Sequence, residues 1–283
     1  MNPTAINRSA LAAAAAMLLA LSTGAQAAQP PVSDHQGGRD MFVYVPTHLP
    51  PAGSRALVIV LHGGLGNAAR IVGRQSESGL NLDAEADRYG FVVAYLNGTP
   101  VTRMGGQMLG WNAGGGCCGQ SAANNIDDDG YIAGAVAYLA QKYGVDAHRV
   151  FGIGHSNGAM MAQRLVCETH VLAAAVAISG PLNLDTDHCP DAAGARILAI
   201  HGADDRNVPI AGGQGTEGLS RTAYSSEDGS RRTFVESGAA YTLEIVPGAD
   251  HKLDHIEAVM VQTDGVTIAE KAAQFFGLAG PTP

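Results

Sequence analysis

Short apolar runs alternate with stretches of helical periodicity along most of the chain. The apolar runs predict strands at residues 41–45, 56–61, 91–95, 150–153, 172–178, 196–200 and 241–246. The intervening stretches predict helices at residues 80–89, 131–142, 159–168, 230–236 and 267–276. Uninterrupted apolar strands are typical of a parallel sheet that is covered on both faces. The alternation therefore predicts one doubly wound, mostly parallel α/β sheet with helices on both faces.

A sharp turn separates the strand at 150–153 from the helix at 159–168. It reads Gly154-His155-Ser156-Asn157-Gly158, which matches the G-x-S-x-G pattern of a nucleophile at a strand-to-helix corner. The two glycines leave room where a Cβ would clash, and the helix that follows directs free N–H groups at the corner. Ser156 is therefore the candidate nucleophile.

Two further strands end in carboxylate and imidazole side chains. Asp204 and Asp205 follow the strand at 196–200, and His251 follows the strand at 241–246. The order Ser, Asp, His is that of an α/β-hydrolase triad, which predicts the α/β-hydrolase fold. Position alone leaves Asp204 as an alternative to Asp205, and His255 is a rival to His251.

A glycine-rich loop, residues 62–67, follows the strand at 56–61 and is expected to supply part of an oxyanion hole. The predicted donors are the Asn157 N–H and one N–H from Gly64 or Leu65. The long loop at 101–125 carries Trp111, which forms either a wall of a substrate cleft or plain packing. His155 is expected beside the substrate, as a supporting residue and not as a base.

Composition limits the other classes of function. The chain has 283 residues, 46% of them hydrophobic, with a formal net charge of −9 and no Lys/Arg cluster, which excludes nucleic acid as a partner. Residues 125–130 (NIDDDG) fail the EF-hand template because the twelfth position is Val136. These carboxylates are expected to cap the following helix, and we expect no metal site.

The N-terminus has the features of an export signal. Arg8 precedes an apolar segment at residues 11–21, and Ala25-Gln26-Ala27 offers a small-residue cleavage site. The apolar segment is too short for a membrane span, so no stable membrane insertion is expected. We predict a signal peptide at residues 1–27, a single catalytic domain at 28–283, and a periplasmic or secreted location.

Export changes the interpretation of the four cysteines, Cys117, Cys118, Cys167 and Cys189. Two disulfides are expected in an oxidising compartment. Adjacent Cys117 and Cys118 are poorly placed to ligate one metal ion. They are expected to pair outward, one with Cys167 and the other with Cys189.

Several motifs together resemble the secreted esterases of the polyhydroxybutyrate depolymerase and feruloyl esterase group. They read LHGGLGN at 61–67, WNAGGGCCG at 111–119, DDDGYI at 127–132, GHSNG at 154–158 and HGADDRNVP at 201–209. The resemblance spans residues 40–280, favours Asp205 over Asp204, and matches Cys117, Cys118 and Cys167 to cysteines of the group. Residues 210–238 depart from it, being polar where many relatives are more helical.

The resemblance implies an exported serine hydrolase of carboxylic esters that needs no metal or organic cofactor. The expected substrate is a small or oligomeric ester, or a polymer surface, of the 3-hydroxybutyrate, feruloyl or acetyl type. A peptidase or thioesterase on the same scaffold is one alternative. A catalytically idle exported binding protein is another.

Overall fold

A computed structural model of the chain describes residue 1 and residues 30–104, 106–218 and 222–280. Apart from residue 1, the predicted signal peptide lies outside the described residues. Within these residues no helix combines the length and apolarity that crossing a bilayer requires.

The strands follow one another along the chain between helices. They are β1 (Val32–Gln36), β2 (Arg39–Tyr44), β3 (Arg55–Leu61), β4 (Val92–Leu96), β5 (Thr99–Pro100), β6 (Leu109–Gly110), β7 (Val145–His155), β8 (Ala174–Ile178), β9 (Arg196–Gly202), β10 (Gly213–Gln214), β11 (Ala223–Tyr224) and β12 (Ala240–Val246). In the described part of the chain, eight of them form one sheet in the order β1-β2-β4-β3-β7-β8-β9-β12. The pairs β1–β2 and β2–β4 are antiparallel, and every pair from β4 to β12 is parallel.

The helices cover both faces of this sheet. They are α1 (Ala68–Val72), α2 (Asp83–Tyr89), α3 (Gly119–Ala123), α4 (Asp128–Tyr143), α5 (Asn157–Glu168), α6 (Glu227–Glu236), α7 (Leu253–Asp264) and α8 (Ile268–Phe275), with a 3-10 turn at Ser78–Leu80. Asp127 caps α4 by accepting a hydrogen bond from the Gly130 N–H at 2.8 Å, which confirms the predicted capping role for this one carboxylate of the acidic cluster. Asp128 and Asp129 instead pair with Arg39 and Arg164.

Strand β3 shows why the apolar runs are uninterrupted. Leu57 and Ile59 on alternate positions are buried in one hydrophobic core, which Leu165 of α5 joins. Val58 lies in a second core on the opposite face, with Ile256 of α7. Because side chains alternate between faces, a strand covered on both sides needs an apolar residue at every position. The predicted fold class, a doubly wound α/β-hydrolase sheet, is confirmed.

The elements that the periodicity did not predict include β1 and α7. β1 has the polar sequence VSDHQ and pairs with β2 through a turn at Gly37-Gly38, so it is an exposed edge strand without an apolar run. α7 lies at residues 253–264, where the sequence analysis places no helix, and it buries Leu253, Ile256 and Met260.

The cysteine pairing differs from the prediction. Disulfides join Cys117 to Cys118 and Cys167 to Cys189. The Cys117 Sγ lies 3.6 Å from the side chain of Asn157, the first residue of α5, whereas Cys167 is near the other end of that helix. At about 1.5 Å of rise per residue the two sites are roughly 15 Å apart, beyond disulfide reach. The outward pairing is therefore wrong, and the Cα atoms of Cys167 and Cys189 are 4.4 Å apart.

The two disulfides are predicted to differ in their effect on stability. Cys167 and Cys189 are 22 residues apart, and removing a bridge of that loop length costs about 3 kcal/mol of unfolding free energy. Denaturant unfolding of the Cys167→Ala/Cys189→Ala double variant measures this cost. The matched control is Cys117→Ala/Cys118→Ala, which opens a bridge between adjacent residues and is expected to cost less. Equal losses in the two double variants would contradict the loop-length explanation.

Candidate active site

Ser156 occupies a strained corner between β7 and α5. Its φ of 54° lies in the left-handed region, and its ψ is −120°. A Cβ at Gly158 would collide with the Leu61 carbonyl, and one at Gly154 would collide with the Gly158 backbone. Glycine is required at both positions because the start of α5 lies this close to β7 and to the end of β3. The corner projects the Ser156 hydroxyl beyond the end of the sheet.

The structure brings the three predicted triad residues together. His251 follows β12 and Asp205 follows β9, and both strands run parallel to β7, so all three side chains emerge at one edge of the sheet. The Ser156 Oγ lies 2.9 Å from the His251 Nε2. The His251 Nδ1 lies 2.7 Å from the Asp205 Oδ2. This continuous relay can carry a proton from the hydroxyl to the imidazole.

Asp205 is held as an ionised carboxylate. Burial by itself raises its pKa, but hydrogen bonds from His201 and His251 outweigh burial and hold the pKa well below its ordinary value. The Oδ1 also accepts the backbone N–H groups of Asn207 and Val208, each at 2.9 Å. Asp204 is exposed and contacts neither imidazole, so the geometry selects Asp205 of the two candidates.

His251 is set to be neutral at rest. Burial lowers its pKa from the ordinary value of 6.5, and the charge of His155 lowers it further, against the raising effect of Asp205. A neutral imidazole that donates its Nδ1–H to Asp205 has a free lone pair on Nε2 for the serine proton. His255, the rival base, is exposed and pairs with Asp250 at 3.0 Å, outside the relay.

The candidate oxyanion donors differ in whether their N–H groups already donate a hydrogen bond within the protein. The Leu65 N–H donates to the Leu109 carbonyl at 2.8 Å, so the prediction of Leu65 as a donor is wrong. The Gly64 N–H has no hydrogen-bond partner within the described residues. The Asn157 N–H, as the first of α5, has no helical acceptor. Gly64 and Asn157 therefore offer the two free amides at the corner.

Trp111 is not a cleft wall. Its side chain is fully buried, with its indole N–H donating to the His62 carbonyl at 2.9 Å. Its backbone pairs with the side chain of Asn157, which accepts the Trp111 N–H at 2.7 Å and donates to the Trp111 carbonyl at 3.0 Å. Trp111 packs in the core, and its backbone hydrogen bonds with Asn157 hold this part of the loop against the start of α5.

An open cleft of about 670 Å³ leads to Ser156. Its lining includes the oxyanion loop at Gly64, the predicted neighbour His155, and the Cys117–Cys118 disulfide. Val208 and Tyr224 add apolar surface to the walls. No group of three or more His, Cys, Asp or Glu side chains in the described part of the chain is placed to hold a metal ion.

This arrangement agrees with a family assignment from sequence. The sequence profile of the phospholipase/carboxylesterase family matches residues 48–243, well over half of the chain. The chain belongs to this family. The matched segment includes Ser156 and Asp205, and His251 lies shortly after it.

The chain is also similar to several fungal esterases. The chain is 29% identical over 153 residues to a feruloyl esterase B of Talaromyces stipitatus, which covers 52% of this chain and 37% of that protein. It is 29% identical over 146 residues to an acetylxylan esterase A of Aspergillus awamori, covering 50% of this chain and 41% of that protein. The matched segment thus spans about two fifths of the length of these relatives.

A solved structure supports the fold. The acetyl xylan esterase from Aspergillus awamori superposes with a TM-score of 0.53 at 17% identity, covering 85% of this chain and 94% of the other.

The sequence analysis did not identify two carboxylates of the site, the half-buried Glu77 and the buried Glu227. Glu77 is 2.7 Å from the His155 Nδ1, and Glu227 is 2.8 Å from the His201 Nδ1. Glu77 lies in a polar segment without periodicity, and no local pattern marks it. Glu227 is the first residue of α6, where an acidic residue is ordinarily explained by its favourable interaction with the positive end of the helix dipole. The Nε2 of His201 lies 2.9 Å from the carbonyl of the nearby Val208.

The geometry predicts unequal effects of the two neighbouring aspartates. Asp205→Asn removes the carboxylate that orients His251 and is expected to lower kcat by about 10⁴-fold. Asp204→Asn is the matched control and is expected to leave kcat near wild type, because its contact with the Ala249 carbonyl is made by the backbone. Steady-state turnover of p-nitrophenyl acetate measures both. Comparable losses in the two variants would contradict the assignment of Asp205.

Proposed function

We propose that this chain is an exported serine hydrolase of carboxylic esters that works through an acyl-enzyme. The observation that carries the proposal is the continuous relay from Ser156 through His251 to Asp205, with two free backbone amides beside the serine. Hydroxyl, imidazole and carboxylate in this order form the group that activates a serine for acyl transfer.

In the first half-reaction, the Ser156 oxygen attacks the ester carbonyl carbon while the His251 Nε2 takes the hydroxyl proton. The negative charge that develops on the carbonyl oxygen is stabilised by the Gly64 and Asn157 N–H groups, and one such donor contributes about 3 kcal/mol. Asp205 stabilises the imidazolium that forms. When the intermediate collapses, His251 returns the proton to the departing alkoxide, leaving the acyl group on Ser156.

In the second half-reaction, water replaces the alcohol. His251 accepts a proton from the water, which attacks the acyl carbonyl, and the same two amides receive the new oxyanion. Collapse releases the carboxylic acid and returns the proton to Ser156. Every group that these steps need comes from the chain itself, so the proposal includes no metal or organic cofactor.

Feruloyl or acetyl esters of carbohydrates are the proposed substrates. The names of the curated relatives, a feruloyl esterase and an acetylxylan esterase, support this class. The cleft is open to solvent, and Tyr224, Val208 and the Cys117–Cys118 disulfide give it apolar walls suited to a planar aromatic acyl group. Short 3-hydroxybutyrate oligomers are carboxylic esters of similar size and belong in the same test.

Export to the periplasm or the exterior is part of the proposal. Disulfides persist in oxidising compartments, and two are formed in the described residues. The charged, apolar and small-residue segments of residues 1–27 support the same location.

Labelling with a fluorophosphonate tests the nucleophile. The wild-type enzyme is expected to take one label and to lose esterase activity in proportion, whereas Ser156→Ala takes none. Initial rates on methyl ferulate, acetylated xylan, 3-hydroxybutyrate oligomers and a peptide anilide then rank the substrates. A label that persists in Ser156→Ala would refute the proposed nucleophile. Turnover of the peptide anilide and of none of the esters would refute the proposed esterase activity.

The activity is also predicted to persist into mildly acidic solution. His251 must be neutral to accept the serine proton, and burial lowers its pKa below 6.5. The kcat/KM for an uncharged ester is therefore expected to stay high as pH falls to 6.5 and to decline only below that value. A pH profile with p-nitrophenyl acetate at constant ionic strength measures the midpoint, and a midpoint above 6.5 would contradict the prediction.

A further inference from the structure

His155, beside the nucleophile, has a protonation state that its neighbours define. Its Nδ1 lies 2.7 Å from the Glu77 Oε1, and its Nε2 lies 2.8 Å from the His251 carbonyl. Carboxylate and carbonyl oxygens only accept hydrogen bonds, so both ring nitrogens must carry a proton. The ring that satisfies both contacts is the imidazolium cation.

His62 in the neighbouring loop provides the contrast. Its Nε2 accepts the Gly98 N–H at 3.1 Å, and its Nδ1 faces the Gly63 carbonyl at 2.8 Å. One donor and one acceptor suit a neutral ring, and burial lowers the pKa of His62. For His155, burial acts in the same direction, but the hydrogen bond and charge of Glu77 outweigh it and raise the pKa.

Glu77 connects this cation to the oxyanion loop. Its two carboxylate oxygens lie 2.9 and 3.1 Å from the Gly63 N–H, the amide immediately before Gly64. The side chain is only 13% exposed, and the backbone has a φ of 53°, which a non-glycine residue rarely adopts. Strain of this kind persists where surrounding contacts enforce it.

We propose that Glu77 and His155 form a charged positioning pair that ties the base to the oxyanion hole: the His155 imidazolium holds the His251 carbonyl while the Glu77 carboxylate holds the Gly63 amide. Three segments from distant parts of the sequence then keep one geometry. The inference rests on the proposed function, because the positions it fixes are those of the proposed base and oxyanion donors.

The pair also places a positive charge near the base. The rings of His155 and His251 have centroids 5.0 Å apart. The other charged groups that face His251 are Asp205, in contact with it, and His201 behind Asp205. Asp250 and Lys252 flank it in the chain. The His155 cation opposes protonation of His251, so its loss is expected to make His251 easier to protonate.

Glu77→Gln is the sharpest variant because the amide keeps the shape of the carboxylate. Its oxygen can still accept the Gly63 N–H, while its NH₂ group donates to the His155 Nδ1 and leaves His155 neutral. The acid limb of the kcat/KM profile is expected to move to higher pH by roughly one unit. An unchanged limb, or one at lower pH, would overturn the proposal.

The matched control is Asp191→Asn. It replaces the carboxylate of another His–carboxylate pair, Asp191 with the exposed His170, away from the relay. Its pH profile is expected to coincide with that of wild type. A shift in this control equal to that of Glu77→Gln would overturn the specific role of Glu77.

Two further measurements keep the proposal testable if Glu77→Gln does not fold. Nitrogen-15 NMR of histidine-labelled wild-type enzyme at pH 8 is expected to show both ring nitrogens of His155 protonated, and a neutral ring would overturn the proposal whether or not the enzyme hydrolyses esters. His155→Gln can still donate to the His251 carbonyl but carries no charge. It is expected to move the acid limb upward as Glu77→Gln does, and an unmoved limb would count against the charge.

Discussion

The close approach of three backbone segments at the Ser156 corner is the constraint on which the site depends. Gly154 lets β7 approach α5, Gly158 lets α5 approach the end of β3, and at Gly180 any Cβ would collide with the Ser156 carbonyl. The corner is then fixed by the Ser156 N–H, which donates to the Ile178 carbonyl of β8 at 2.8 Å. A strained φ is stable only when its surroundings leave no alternative, and here the sheet itself removes the alternatives.

The second constraint is the neutralisation of buried charge around the relay. His201 faces the Glu227 carboxylate at 2.8 Å and the Asp205 carboxylate at 3.2 Å, and these contacts raise its pKa to about 9 in spite of burial. Burying an ionised carboxylate without a counter-ion costs free energy, and the contact with His201 offsets this cost for Asp205. His251 is then free to remain neutral at rest and to gain its charge during the reaction.

Much of the site could be predicted because its residues sit where the chain changes from one regular element to another. Ser156, Asp205 and His251 each follow an apolar run, and parallel strands bring such turns to one edge. Glu77 could not be found this way, because its contact with His155 joins positions 78 residues apart and leaves no mark in the local sequence.

The points that the sequence leaves open or predicts wrongly have a common cause. Residue type and neighbourhood leave Leu65 as an alternative donor to Gly64 and leave Trp111 either in the cleft wall or in plain packing, and the position of the loop that carries Trp111 decides both cases. It places the Leu109 carbonyl on the Leu65 N–H and buries the indole beneath His62. The cysteine pairing failed similarly, since the length of α5 separates Cys117 from Cys167. Each of these contacts depends on a distance in space, which the spacing of residues along the chain does not determine.

Substrate choice is the property of this protein that the sequence predicts least well. The cleft walls include residues 101, 102 and 117–119 from one stretch of the chain and residues 217, 218 and 224 from another, and neither stretch has a hydrophobic period. One buried side chain joins them: Asn183 donates to the Gly114 carbonyl at 3.3 Å and accepts the Ser225 N–H at 3.1 Å. The separation of the walls is therefore fixed by an amide that belongs to neither wall. Residues that set the width of such a cleft need not touch the substrate.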